Sequence, residues 1–417
     1  MDGAGFPSAR RDTTALANIA DLPRDARLLA VSPGTGPLLR RVLEPLRPDV
    51  TFADDAAELG RDGYLYVGGP AMHRDLDDAR RRGLDQAALI LPEASTSYYD
   101  FWSLPVERIH ATDDGGPQIA APAFEDYVAG LGDFFGHYRQ GVYHHQGQRY
   151  QPWRRIAEHD KKSRLEAAIG VLHEQRSRET LLAVLAEPPE AMWRRWLGQV
   201  CSGLEYFDCV TLEPGAVVLN AGVHGGGEIP YFMAAIGEAG RIVNVDPLGD
   251  AYLSPYVRAA VDAFAGDCRF VAAALHDTEA TVDLPVENGG MAAGNSIGRP
   301  IPGTTMRRFP ARSINAIAAE LALDRLDLIK MDVEGAEPRA LEGAMRTIER
   351  LRPQLAISIY HEPDHFLDIL GNLARTLAGY RFYVRNYHFI ANETILYAVP
   401  VERQTKPASQ GIEIALV

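Results

Sequence analysis

The sequence of 417 residues is poor in cysteine, carries an excess of negative charge and has no long apolar run. Its three cysteines, Cys201, Cys209 and Cys268, are an odd set without CxxC spacing, which argues against a disulfide framework and a structural zinc site. A formal net charge of -14 disfavours a nucleic-acid partner, because such partners are held largely by basic residues on phosphates. No stretch reaches the roughly twenty apolar residues of a membrane-spanning helix. The sequence therefore predicts neither nucleic-acid nor membrane partners.

The N-terminal residues also lack the apolar segment of a secretory signal, so we expect a cytoplasmic protein. A hydrophobic content of 46% and a charged content of 24% are ordinary for a globular chain. The length suffices for two domains with cores of their own. Composition does not indicate an oligomeric state, and homo-oligomerisation is left open.

The first region, residues 1–125, reads as a small N-terminal α/β domain. Short apolar runs such as RLLAV and GYLYVGG alternate with helix-compatible stretches, a pattern typical of βαβ units and a parallel sheet. The turn Gly34-Thr35-Gly36 is a GxG without a third glycine, so a tight strand-to-helix turn is favoured over a phosphate site.

The second region, residues 126–204, is predicted to be a helical connection, with leucines near helical spacing in RLEAAIGVLHEQRSRETLLAVLAE. Aromatic and histidine residues crowd the stretch from Phe134 to Trp153, which suits either an acceptor cleft or an interdomain surface. His144-His145 does not predict a metal site, because adjacent side chains diverge on any regular element.

The third region, residues 205–400, predicts a doubly wound α/β domain, followed by a tail at 401–417. Its strand-like runs are GAVVLN, RIVNVD, CRFVAAAL, LDLIKMD, QLAISIY and ETILYAV, and helix-length segments separate most of them. Such sheets bind ligands beyond the carboxyl ends of their strands, so the residues that end these strands are the candidates for chemistry.

Two adjacent strand ends carry the pattern of an adenosine-ligand site. The first strand runs into a glycine-rich loop, which lets a ligand approach the backbone and leaves helix N–H groups free. The second strand ends in Asp246, about two dozen residues further on, where an acid accepts hydrogen bonds from ribose hydroxyls. We favour this over a simple cap before Pro247. The candidate loop residues are Asn220, Ala221, Gly222, His224 and Gly226.

The fourth strand ends in LIKMDVEGAEPRALEGA, where Asp332 and Glu334 follow a buried run and a helix begins at once. Acids before a helix are also explained by the positive end of its dipole, and Glu337 is expected to be mainly structural. Dipole electrostatics do not account for acids at the predicted ligand edge. The fifth strand adds the ionisable His361 at the same edge.

LIKMDVEGAEPRALEGA resembles the signature of the FkbM family of S-adenosylmethionine-dependent methyltransferases. Further matches follow in the family's order: GAVVLNAGVHGGG, RIVNVDP, PQLAISIYHEPDHF and ETILYAVP. The resemblance covers residues 170 to 400 and implies a seven-stranded Rossmann-like domain, with a worn nucleotide-binding module upstream. In such enzymes the glycine-loop strand usually ends in aspartate, whereas Asn220 keeps a hydrogen bond but not the charge.

The resemblance implies S-adenosylmethionine as cofactor and O-methylation of a small acceptor, such as a sugar or natural-product hydroxyl. His361 is the first candidate for the base, because the unperturbed pKa of histidine lies near neutrality. Asp332 and Glu334 are second candidates, or orient substrate and cofactor, and Asp332 is also expected at the cofactor. We expect no metal site, since these residues and Glu362 lack a dedicated ligand spacing.

Two other classes of function remain as alternatives. The altered glycine loop suits a non-catalytic or repurposed nucleotide-binding protein. An NAD-type oxidoreductase would use either glycine turn, although GxGxxG is incomplete in both places.

Overall fold

The computed structural model describes residues 24–30, 48–53, 58, 64–66, 88–90, 109–111, 117–119, 152–186, 205–253, 255–287, 290–291, 297–301, 303–387, 391 and 393–403. The Gly34-Thr35-Gly36 turn, His144-His145, nearly all of the stretch from Phe134 to Trp153, and most of the predicted tail lie outside these residues.

The strands and helices of the described residues are numbered in chain order. The strands are β1 (Arg27–Ala30), β2 (Thr51–Phe52), β3 (Tyr64–Tyr66), β4 (Ala88–Ile90), β5 (Ile109–Ala111), β6 (Pro117–Ile119), β7 (Val217–Ala221), β8 (Arg241–Asp246), β9 (Asp267–Ala272), β10 (Ala274–Leu275), β11 (Ala280–Glu287), β12 (Gly290–Met291), β13 (Thr305–Arg312), β14 (Leu328–Met331), β15 (Gln354–Ser358), β16 (Tyr380–Asn386) and β17 (Thr394–Pro400). The helices are α1 (Pro152–Arg155), α2 (Lys161–Val171), α3 (Gln175–Ala186), α4 (Ile229–Ile236), α5 (Pro255–Ala263), α6 (Ile314–Glu320), α7 (Glu337–Glu342), α8 (Met345–Leu351) and α9 (His365–Thr376), and a 3₁₀ turn follows at Val401–Arg403.

A seven-stranded sheet forms the centre of the C-terminal region, in the order β16-β17-β15-β14-β7-β8-β9. Only β17 runs antiparallel to its neighbours, and the other pairings are parallel. The predicted doubly wound, Rossmann-like sheet is thus confirmed. Its inner strands are buried, as their continuous apolar runs predict, and every residue of β14 is buried.

The sequence pattern did not predict one strand of this sheet, β16, nor the strands β11, β12 and β13 of a second sheet. The strand β16 reads YRFYVRN and so mixes aromatics with arginines, and Arg385 is buried because Glu174, Asp208 and Ser177 partner its guanidinium. The second sheet has the strand order β10-β13-β11-β12, and its strands come between β9 and α6 along the chain. It has a small core of its own. Because its outer face is polar, its strands are not continuous apolar runs in the sequence.

The helix predicted after Asp332 and Glu334 is divided into α7 and α8 at Gly343. A Cβ at this position would lie 2.3 Å from the carbonyl oxygen of His276. The close approach of another backbone therefore requires glycine here and interrupts the helix.

The helices before residue 205 pack directly on the seven-stranded sheet and its flanking helix. Arg164 on α2 donates to Asp364 at 2.8 Å and to Asp368 at 2.7 Å, both at the start of α9. Ser177 on α3 accepts a hydrogen bond from Arg385 of β16 at 3.0 Å. The predicted domain limits at 125, 204 and 400 stay predictions.

Further upstream, β2-β1-β3-β4 form a parallel sheet, the arrangement expected of βαβ units. Among the described residues, no helix has the length and apolar character to cross a bilayer.

Candidate functional site

Four parallel strands, β15, β14, β7 and β8, end at one edge of the central sheet. The residues that follow these ends are the predicted ones: His361 after β15, Asp332 after β14, the glycine loop after β7, and Asp246 at the end of β8. The fold therefore brings the candidate residues to one edge.

The glycine loop touches the fourth strand end directly. Gly222 has φ +78°, and a Cβ on it would lie 1.6 Å from the carbonyl oxygen of Asp332. Gly226 has φ +74°, and its Cβ would meet Leu253 Cδ2 at 2.7 Å. Both positions need glycine, because the backbone is left-handed and a neighbouring group leaves no space for a Cβ. Through Gly222, the glycine loop packs tightly against the turn formed by residues 332–335, the DVEG turn.

Asp246 holds the glycine loop by its backbone. One carboxylate oxygen accepts hydrogen bonds from the amides of Val223 at 3.1 Å and His224 at 3.2 Å. The other oxygen accepts from the Leu248 amide at 2.9 Å. Because a carboxylate offers about four acceptor positions, one remains for a ligand hydroxyl. The side chain of His224 is exposed, and its φ of +47° belongs to the loop's left-handed turn.

Asp332 is held from both sides by tyrosines. Tyr206 donates its hydroxyl to Oδ2 at 3.0 Å, and Tyr360 donates to Oδ1 at 3.2 Å. The Asp332 amide continues the ladder with Ala221 O at 3.0 Å. These contacts fix the carboxylate at the junction of β14 with the glycine loop.

His361 lies among three carboxylates and is 1% exposed. Its Nδ1 is 2.7 Å from Glu337 Oε1, and its Nε2 is 3.3 Å from Asp332 Oδ1 and 3.4 Å from Glu334 Oε2. None of these contacts has the alignment of a good hydrogen bond, so they are ion-pair contacts. Glu337, also fully buried, accepts from the Val333 amide at 3.0 Å and so braces the DVEG turn.

The charges of His361 and Glu337 in this cluster shift each other's pKa values towards the ionised forms. Burial by itself would lower the pKa of His361, but Glu337, then Glu334 and Asp332, outweigh it and raise the pKa to about 9. Burial would raise the pKa of Glu337, yet His361 and His365 outweigh it and lower the pKa to about 2. At neutral pH the cluster therefore contains an imidazolium paired with a buried carboxylate.

Donor atoms of Asp332, Glu337 and His361 lie within 4.8 Å of one another, a grouping that also occurs in metal sites. However, ligands about 2.1 Å from a metal stand about 3 Å or more apart, and the His361–Glu337 contact of 2.7 Å is shorter. These two residues fit a direct ion pair better than joint coordination. The expectation of a site without metal stays a prediction.

A second charged group lies beneath the glycine loop. Lys330 Nζ is 3.4 Å from Glu228 Oε1, donates to the carbonyl of Gly222, and lies 4.8 Å from the centre of the Tyr206 ring. Burial would lower the pKa of Lys330, but Glu228, then Asp332, raise it. Asn220 donates to the same Glu228 oxygen at 2.9 Å.

Two further carboxyls, Glu205 and Glu393, lie close enough to Asp332 to feel its charge. Burial, followed by Glu393 and Asp332, raises the pKa of Glu205, and burial followed by Asp332 raises the pKa of Glu393. The raised pKa values mean that burial and the charge of Asp332 both oppose ionisation of these two carboxyls.

Sequence reasoning missed Tyr206, and it gave no role to Lys330 or Glu228. Tyr206 lies before β7, and nothing in the sequence around it indicates a contact with Asp332. Lys330 had one, because a lysine inside the apolar run LIKM must find a counter-charge when buried. Glu228, directly after the triple glycine, is that counter-charge.

Residues 220–382 match the family described as the methyltransferase FkbM domain. The match begins at Asn220 on the glycine loop and spans every strand end of the site. This part of the chain is an FkbM methyltransferase domain. No protein with a curated description matches the chain.

Solved structures resemble between 45% and 90% of the chain at low identity. The methyltransferase FkbM of Methylobacillus flagellatus KT is 14% identical, over 90% of both chains, with a TM-score of 0.38. An O-methyltransferase of Bacillus cereus in complex with SAH is 12% identical, over 57% of this chain and 90% of that one, with a TM-score of 0.26. Fibrillarin of Aeropyrum pernix with natively bound S-adenosyl-L-methionine is 14% identical, over 45% and 67%, with a TM-score of 0.26. Likenesses at this level carry no argument about substrates.

Proposed function

We propose that the protein is a cytoplasmic S-adenosylmethionine-dependent O-methyltransferase acting on a small hydroxyl-bearing acceptor. The observation that carries the proposal is the meeting of Gly222, Asp246 and Asp332 at one sheet edge, within an FkbM methyltransferase domain. The glycine loop offers backbone to a ligand, Asp246 keeps one acceptor position for a ribose hydroxyl, and Asp332 forms the facing wall.

The cofactor would lie along the loop residues Asn220 to Gly226, with its ribose at Asp246 and its sulfonium towards Asp332. Methyl transfer forms a bond from the acceptor oxygen to the methyl carbon and breaks the bond from that carbon to sulfur. The leaving group is the neutral thioether S-adenosylhomocysteine, so the chain's main task is to align the acceptor. The acceptor also has to lose its hydroxyl proton.

We assign the proton to Asp332 rather than to His361. A histidine whose pKa is raised to about 9 already carries its proton at neutral pH and cannot accept another. Its contacts with Asp332 at 3.3 Å and Glu334 at 3.4 Å suit a residue that orients carboxylates. Glu334, about one third exposed, is then placed to contact the acceptor or the cofactor amino group.

The proposed acceptor is a small molecule that carries a hydroxyl group. A hydroxyl on a sugar or natural product follows from the resemblance of the motifs to the FkbM family. Glu334, about one third exposed at this edge, suits a hydroxylated acceptor, because a carboxylate accepts hydrogen bonds from hydroxyls.

Calorimetry on the intact protein tests the function. We expect S-adenosylmethionine and S-adenosylhomocysteine to bind at one site and NAD⁺ not to bind. Asp246→Asn should weaken the binding of both adenosine ligands by about tenfold or more. The asparagine lacks the charged acceptor, and its NH₂ group would face the loop N–H groups that now donate to Asp246. Glu349→Gln, on the exposed face of α8, is the matched control. Binding of NAD⁺ alone, or of none of the three ligands, would contradict the proposal.

A further inference from the structure

The buried ammonium of Lys330 needs a counter-charge, and the loop supplies it. Lys330 is 2% exposed and sits in the middle of the sheet, where an unpaired charge would be very costly. Its contacts are the carbonyl of Gly222, the ring of Tyr206 and the carboxylate of Glu228. Glu228, the residue that ends the glycine loop, is the nearest negative charge.

Asn220 donates a hydrogen bond from its side-chain amide to the same carboxylate. Its Nδ2 donates to Glu228 Oε1 at 2.9 Å and to Asn244 Oδ1 at 3.0 Å. Asn244 cannot reverse this arrangement, because its own Nδ2 donates to Cys268 Sγ and to Arg269 O, both at 3.3 Å. Position 220 must therefore supply donors, which asparagine does and aspartate does not.

Asparagine at 220 and glutamate at 228 are thus a matched pair. An aspartate at 220 would bring a second carboxylate to about the hydrogen-bond distance from Glu228, with one lysine between them. Like charges at that distance repel each other strongly when buried. The negative charge that contacts Lys330 directly lies on Glu228, and Asn220 is the neutral partner that this placement requires.

We propose that Glu228 acts as a positioning residue at the end of the glycine loop. Its carboxylate neutralises the Lys330 ammonium, so that the loop accepts a ligand with a cationic sulfonium. The inference rests on the proposed function, since it concerns the same ligand. Without the Glu228 charge, the Lys330 ammonium beneath Gly222 would face a positively charged cofactor. S-adenosylhomocysteine carries no sulfonium, so it would be affected less.

Three variants, measured by calorimetry with both ligands, test this inference. Glu228→Gln removes the negative charge, and Asn220→Asp adds a second one. The double variant N220D/E228Q moves the charge from 228 to 220, and its glutamine can donate to the new carboxylate. Glu238→Gln, exposed beyond the end of α4, is the matched control for a glutamate change in this region.

We expect Glu228→Gln to weaken S-adenosylmethionine at least about tenfold more than S-adenosylhomocysteine, the size of a lost interaction with a charged group. Asn220→Asp should weaken both ligands, and the double variant should bind more tightly than Asn220→Asp because it restores a single charge, although Asn244 Oδ1 still lacks its donor. Equal losses for the two ligands in Glu228→Gln would overturn the inference.

If Glu228→Gln does not fold, as thermal unfolding of the free protein would reveal, the comparison of Asn220→Asp with the double variant decides. A double variant that binds more weakly than Asn220→Asp would overturn the pairing. Wild-type protein that binds neither ligand would instead contradict the proposed function, so the two failures are distinguishable.

Discussion

The ion pair between Glu337 and His361 makes the most quantitative prediction. The perturbation is Glu337→Gln, which keeps the shape and a carbonyl for the Val333 amide but removes the charge that contacts His361 at 2.7 Å. In the wild type the pKa of His361 is raised from 6.5 to about 9. At about 1.4 kcal/mol per unit, the surrounding carboxylates favour the imidazolium by about 3 kcal/mol beyond the cost of burial. The lowered pKa of Glu337 describes the same pair, so the two shifts are not added.

Glu337 is the first of the charges that raise this pKa, so its removal should lower the pKa of His361 by more than about one unit. The assay is an NMR titration of the histidine ring protons in wild type, Glu337→Gln and the control Glu349→Gln. A wild-type His361 that titrates near 6.5, or one whose pKa the variant leaves unchanged, would refute the reasoning.

The same pair predicts how stability depends on pH. A raised histidine pKa stabilises the fold fully below about 6.5, and this contribution is lost as pH rises through about 9. A lowered glutamate pKa stabilises the fold above about 4.5, and this contribution is lost as pH falls towards about 2. The advantage of wild type over Glu337→Gln in thermal midpoint should therefore be largest between about pH 4.5 and 6.5 and shrink towards pH 9. An advantage that grows towards pH 9 would contradict this.

Two further predictions concern the loop and the reaction. Gly222→Ala should unfold or disorder the site, because its Cβ would meet the Asp332 carbonyl at 1.6 Å, whereas Gly225→Ala, with nothing within 4 Å, should change the thermal midpoint little; equal midpoints for the two would contradict the fit of loop and turn. Asp332→Asn should lower kcat about 100-fold, the scale of a lost general base, while Glu334→Gln lowers it less; a larger effect of Glu334→Gln would move the proton-accepting role to that residue.

The architecture of the C-terminal region was predictable because its strands are buried on both faces. Runs such as VVLNA and LIKM are apolar except for one polar residue each, and glycine and acid after their ends mark the ligand edge. The strand β16 was not predictable in this way, because Arg385 is buried with partners that are distant in sequence, among them Glu174, Ser177 and Asp208. Sequence periodicity does not report such long-range pairing.

The members of the site were largely predictable, but their electrostatics were not. Strand ends located Asp246, Asp332 and His361 without knowledge of which charges would meet. The expected role of His361 as base used the pKa of an isolated histidine, and its contact with Glu337 at the start of α7 shifts that pKa. Which side chains share a buried space is a property of the folded chain, so the charge state of a residue cannot be read from its position in a motif.

The central claim is that S-adenosylmethionine binds across the ends of β7, β8 and β14. A crystal structure of the intact protein with S-adenosylhomocysteine tests it most directly. We predict that a ribose hydroxyl contacts Asp246, that the backbone after Gly222 lies along the ligand, and that its sulfur faces Asp332. A ligand bound away from this edge, or a ribose without contact to Asp246, would contradict the claim.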